Sequence, residues 1–327
     1  MSALSQAFSS KLLRGNYAEE KPLINFDYKG TEQEKRRLIS MVNKIAAHSE
    51  TGRAVLQKAA DAGYSMSFEI QSGCYGFANP KDKRLVMNPM FRDGDLMNTI
   101  VHESRHAGQF LDGVETDFGR LNLKSEIIEF RAMEADACAM ATLAVLEAER
   151  NGLKQRGLRS EASPAVRQAF NEGKDNKEVL NLAFDKWYDD LPVKESYEDS
   201  YIIGHMRSAL KHPQTMIDST YDVPVSAKEA AELICTTPDG CYLQNPEKLE
   251  TEKKFIDIAQ GTKAVADKFF ALRERATMRA PDESYKDLPV RQFPTMLHGN
   301  FAGMFYEVKK PAKNPVALLK AKAAQGR

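Results

Sequence analysis

The segment His102-Glu103-Ser104-Arg105-His106 decides how this chain is read. It lies within a stretch from about Asp95 to Leu111 whose apolar residues Leu96, Ile100, Val101 and Phe110 mark one side of a helix. Asp93-Gly94-Asp95 offers N-cap chemistry before it, and Asp112-Gly113 ends it. Residues four apart on a helix share one face, so both imidazoles can reach a single Zn²⁺ at about 2.0–2.1 Å each. Glu103 follows the first histidine by one position and therefore leans beside a metal rather than onto it. There it can take a proton from a water held at the metal, which the metal makes more acidic. The same letters also fit an exposed amphipathic helix carrying charges at Glu103 and Arg105.

A catalytic zinc needs a third protein ligand and an open position. His48, His205, His212 and His298 stand at no diagnostic spacing from the pair. A long helix is predicted from about Leu123 to Arg150, and it turns Ala-rich and apolar between Ala132 and Leu146. Inside it, Arg131-Ala132-Met133-Glu134-Ala135-Asp136-Ala137 places two carboxylates among small and apolar residues. A buried ionised carboxylate is costly unless it is paired or binds metal. One reading is a metal ligand; the other is a buried pair satisfied by Arg131 or Arg105. Positions two apart on a helix differ by about 200°, so only one of Glu134 and Asp136 can face the metal. Glu126 and Glu129, further upstream on the same helix, are additional candidates.

Before the motif, residues 31–48 carry Leu38, Met41, Val42 and Ile45 at helical spacing, and a second helix restarts at Thr51 and stops at Gly63. Residues 65–70 alternate polar and apolar, which predicts a strand. Residues 74–88 predict a hairpin with arms at 75–78 and 84–87 and the turn Asn79-Pro80-Lys81-Asp82.

This order, with His-Glu-Ser-Arg-His-Ala-Gly-Gln followed by Glu-Ala-Asp-Ala, resembles the zincin metallopeptidases and looks like bacterial metallopeptidase families, some of them effector proteases. The resemblance spans roughly residues 31–149, less than half the chain. Gly108-Gln109-Phe110 follows the motif without a third histidine, so the gluzincin variant fits better than the metzincin one. It implies an α+β, zincin-like catalytic domain with a small mixed sheet and an active-site helix. It also implies zinc held by His102, His106 and Glu134, and Glu103 as general base. Glu134 is preferred because its longer arm matches the family's ligand; Asp136 would then support the site. The strand before the site helix, 84–88 here, would be the sheet edge along which an extended substrate binds. Tyr197, Tyr201 and His205 could supply a transition-state donor in the gluzincin manner, or simply pack, and Gln109 could hydrogen-bond near the site.

Zinc-dependent hydrolysis of a protein or peptide substrate is therefore the expected function. The alternative is a catalytically silent zincin scaffold, or a secreted effector, acting through protein binding. Lys+Arg and Asp+Glu both number 46, a balance that argues against nucleic acid as partner. No apolar run reaches the 18 or so residues of a membrane span. The first twenty residues lack the apolar core of a Sec signal peptide, so the expected location is cytoplasmic, or exported without a cleaved one. The scattered Cys74, Cys138, Cys235 and Cys241 read as free thiols. Four regions are expected: a flexible tail over 1–30, the catalytic core over 31–155, a helical region over 156–280 packed on that core, and an extended or frayed tail over 281–327. Helices are predicted near 163–171, 177–188, 198–211, 227–234 and 246–273.

Overall fold

The computed structural model describes residues 17–114, 118–158 and 162–291. Strand β1 (Asp27–Tyr28) leads into α1 (Glu32–His48) and α2 (Glu50–Asp61), then β2 (Ser65–Phe68), β3 (Gly76–Asn79) and β4 (Arg84–Met87). Thr31 caps α1 through a reciprocal capping box with Glu34, and the Ser49 side chain caps α2 through Gly52 N–H. The hairpin turn is held by Asn79, whose Oδ1 accepts from the backbone of Lys81 and Asp82. Two long helices follow, α3 (Asp93–Leu111) and α4 (Leu123–Arg150).

The sheet order is β1-β2-β4-β3, with β1, β2 and β4 parallel and β3 antiparallel to β4. This corrects one expectation. The 84–88 segment is not an edge: β4 is paired on both sides, and Leu85, Val86 and Met87 are fully buried. A run of three apolar residues suits a central strand covered on both faces. The edge beside the site helix is β3, whose four residues are all partly exposed.

The remainder is largely helical: α5 (Pro164–Asn171), α6 (Asn176–Trp187), α7 (Leu191–Tyr197), a π-helical turn (Glu198–Ile203), α8 (Gly204–Lys211), α9 (Pro213–Asp218) and α10 (Ala227–Ile234). A short hairpin, β5 (Thr236–Thr237) and β6 (Gly240–Cys241), precedes α11 (Lys248–Thr251), α12 (Lys253–Ile256), β7 (Ile258–Ala259), α13 (Gln260–Thr277) and β8 (Val290–Arg291). The single helix expected over 246–273 is thus broken twice. Glu252 and Asp257 are extended, and β7 leaves the helical path to pair with β8. Asp257 is held there by Lys194 and Arg291, both distant in sequence.

Residues 17–30, expected to belong to a flexible tail, pack against the body: Ile24 and Phe26 are buried and Tyr17 donates to Asp93. Residues 1–16 and 292–327, with His298, lie outside the described residues. No described helix is long and apolar enough to cross a membrane. The four cysteines are free.

Two apolar cores meet on α4. One gathers Leu38, Met41, Leu56, Met66, Leu96 and Ile100 with Ala141 and Ala144 of α4. The other gathers Ile127, Phe130, Leu143 and Leu146 of α4 with Val179, Phe184, Ile234 and Phe269. Helix α4 is therefore buried on both sides, and the charged residues it carries inward, such as Arg131, Glu134 and Asp136, need partners there.

Candidate metal centre

The start of α3 is clamped before its chemistry begins. Arg37 donates to Asp93 and to the carbonyls of Pro89 and Phe91, which fixes the approach to the helix. Gly94 lies so close to the backbone that an added Cβ would fall 2.1 Å from Leu158 N, so the helix is seated where only glycine fits.

One turn apart on α3, His102 and His106 bring their Nε2 atoms to 2.9 Å. From α4, Glu134 places Oε2 3.5 Å from each of them. Three donors around one tetrahedral zinc, each at about 2.0–2.1 Å, stand roughly 3.3 Å apart, so the observed spacings fit one ion. Glu134 Oε2 is buried and makes no formed hydrogen bond, which is costly for a carboxylate oxygen without a cation to meet it. Burial alone would push the Glu134 carboxyl up, but His106 and His102 hold it down at about 2. Burial in turn lowers His106, and the Glu134 charge overrides it and lifts the imidazole to about 9. In the metal-free protein these two groups are each other's counter-ion.

The orientation of His106 follows from its neighbour. Gln109 Nε2 donates to Met133 O and to Asp136 Oδ2, so its Oε1 is left to accept. That oxygen lies 2.7 Å from His106 Nδ1, which must therefore carry the proton. His106 Nε2, which faces Glu134 and His102, is thereby the nitrogen left to bind a metal once it gives up its own proton. For His102 the partner behind the ring is the Cys138 thiol, 3.6 Å from Nδ1.

Asp136 points away from the histidines. It is fully buried and accepts from Arg105, Gln109 and Tyr242. Arg105, between the two histidines, also donates to the carbonyls of Ile234 and Thr236. The two carboxylates thus divide: Glu134 faces the imidazoles, and Asp136 is paired with Arg105.

Glu103 is buried beside the cluster. Burial pushes its carboxyl up, the imidazoles of His102 and His106 oppose this, and Glu134 adds to the rise. The backbone of Ala78 on β3 faces it and favours the charged form. The edge strand and the candidate base therefore adjoin.

Glu126 and Glu129 do not reach the cluster. They line a cavity of about 250 Å³ together with Phe110, Phe130, Met133 and Tyr201. That cavity abuts the site, since Phe110 stacks 6.1 Å from His106 and Met133 precedes Glu134. Tyr201 packs at 4.6 Å on Phe130, and His205 lies 5.5 Å from Phe118. Burial pushes the Tyr197 phenol well up, and the Glu134 carboxylate adds to the rise. His48 instead meets Lys44 O at the end of α1.

The sequence reading missed the parts played by Cys138 and Tyr242. Cys138 carried a usable signal, four residues after Glu134 and hence on the same face of α4. Tyr242 lies 106 residues from its partner and carried none.

No curated protein and no solved structure matches this chain. The model of one family, described as "Putative metallopeptidase family (DUF6782)", matches residues 18–243, a span that takes in the histidine pair, Glu103, Glu134 and Tyr242. The chain belongs to that family.

Proposed function

We propose that this chain is a zinc-dependent metallopeptidase with an α+β, zincin-like catalytic domain, in which His102, His106 and Glu134 hold the metal and Glu103 is the general base. The observation that carries this reading is the convergence of two imidazole Nε2 atoms and one buried, unbonded carboxylate oxygen on a single point. A bound zinc would supply Lewis acidity there, lowering the pKa of water toward neutral and polarising a peptide carbonyl.

The chain's own residues do the rest. Gln109 holds the protonated edge of His106 so that the other edge faces the ligand cluster. Glu103, its carboxyl raised by burial, is matched to accepting a proton from the attacking water and passing it to the leaving amine. Strand β3 offers an open antiparallel edge beside Glu103, so an extended substrate would pair there rather than along β4. The adjoining cavity would receive one of its side chains.

The test is metal content together with hydrolysis of an unfolded protein substrate. The purified chain should hold about one zinc, and His102→Ala with His106→Ala should remove it. Full zinc occupancy in the double variant would sink the site. A metal-bound parent that cleaves no member of a broad peptide library would instead favour a scaffold that binds without cutting.

A further inference from the structure

We infer that Gln109 is a positioning residue for the metal ligand His106, and that the hairpin β5–β6 with Tyr242 is the far anchor of that positioning. The metal site would then be complete only when this hairpin is docked. The inference rests on reading His102, His106 and Glu134 as metal ligands, and it does not require peptide hydrolysis.

The chain of contacts is continuous. His106 Nδ1 meets Gln109 at 2.7 Å, Gln109 donates to Asp136 at 2.7 Å, and the Tyr242 hydroxyl donates to Asp136 at 2.8 Å. A second arm ties the same carboxylate to the hairpin and the helix before it, because Arg105 grips Asp136 at 2.5 Å, the Thr236 carbonyl of β5 at 3.1 Å and the Ile234 carbonyl at the end of α10 at 2.6 Å. Every side chain in this network is buried, so water does not readily substitute for a lost partner.

The chemistry of the link is specific. An amide that must use both N–H groups on fixed acceptors has one orientation, and only then does its oxygen meet His106. Freeing Asp136 from Tyr242 or from Arg105 lets Gln109 turn, and His106 loses the partner that selects its tautomer. Coupling of this kind is reciprocal: metal binding must also steady the hairpin.

The experiment uses the full chain, with zinc itself as the probe, and measures zinc affinity by chelator competition and backbone hydrogen exchange at 236–241. Gln109→Leu should weaken zinc about 10- to 100-fold. Tyr242→Phe, which removes one oxygen far from the ligands, should weaken it between about twofold and tenfold. Zinc should slow exchange in the hairpin of the parent and fail to do so in Gln109→Leu. If Gln109→Leu does not fold, Tyr242→Phe decides alone. Parent-like zinc affinity in the folded variants overturns the inference. So does a hairpin whose exchange ignores zinc in the parent. A parent that binds no zinc overturns this inference and the ligand assignment together.

Discussion

Replacing Asp136 by Asn should damage the fold more than the metal site, and the size of the effect can be worked out from its partners. Asp136 is fully buried and accepts four hydrogen bonds, two from Arg105, one from Gln109 and one from Tyr242. Breaking a buried ion pair by neutralising one member costs about 3–5 kcal/mol, since the other charge is left without its counter-ion. The new amide also turns an N–H₂ toward groups that donate, adding roughly 1–3 kcal/mol for donors without acceptors. The two carbonyls that Arg105 also holds offset part of this. A net loss of about 4–6 kcal/mol follows, against a typical total of 5–15 kcal/mol. Denaturant unfolding of the metal-free protein at neutral pH would measure it. Glu134→Gln is the control. It also removes a counter-ion, but His106 can shed its proton whereas Arg105 cannot, so the loss should be much smaller. With zinc the ranking inverts: Glu134→Gln should lose the metal, and Asp136→Asn should weaken it about 10- to 100-fold. A loss below about 1 kcal/mol for Asp136→Asn would refute the energetic reasoning, and loss of zinc from it but not from Glu134→Gln would move the ligand role to Asp136.

Glu103→Gln should keep zinc and lose about 10²–10⁴ in turnover, roughly 2.7–5.5 kcal/mol of barrier. Because burial raises the Glu103 carboxyl above its ordinary value, the ionised form opposes folding at neutral pH, so the same variant should melt higher than the parent. A variant that melts lower would contradict this account of Glu103. Zinc must displace the proton that His106, lifted to about 9 by Glu134, carries in the metal-free protein, so zinc affinity should rise about tenfold per pH unit from near 7 up to 9 and then level. A flat profile measured by chelator competition would show that His106 is neutral without metal. Metal-free stability carries the opposite signs at its two ends. The raised His106 contributes below about 6.5 and fades as pH rises through 9, while the lowered Glu134 contributes above about 4.5 and fades as pH falls toward 2. Urea midpoints that show neither decline would rule out the His106–Glu134 pair.

What could be read in the sequence was what neighbouring residues decide among themselves. Helix α4 runs over Leu123–Arg150, as its pattern implies, because Asn122 supplies the cap and the apolar run continues without a breaker. The histidine pair was legible for the same reason: four positions on one helix fix their mutual geometry. What failed was long-range. The pattern of β4 shows its burial but not that β2 lies parallel on its far side, so the edge was assigned to the wrong arm of the hairpin. Residues 246–273 keep helical spacing throughout, yet Asp257 is drawn into an extended turn by Lys194 and Arg291. Gln109 read equally well as a solvated residue, because whether it is covered depends on α4 and not on α3.

Helix α4 acts as a shaft with two bearings. It is gripped on one side by the core that seats α3 and on the other by the core of the C-terminal helices. Its 28 residues span about 42 Å, and Glu134 sits between two lengths whose angular setting is imposed from outside. Adding or removing one residue anywhere along it would turn one end by about 100° and advance it by about 1.5 Å relative to the other. One core would then be out of phase, or Glu134 would swing off the histidines. The count of residues from Asn122 to Arg150 is therefore fixed by two cores at once.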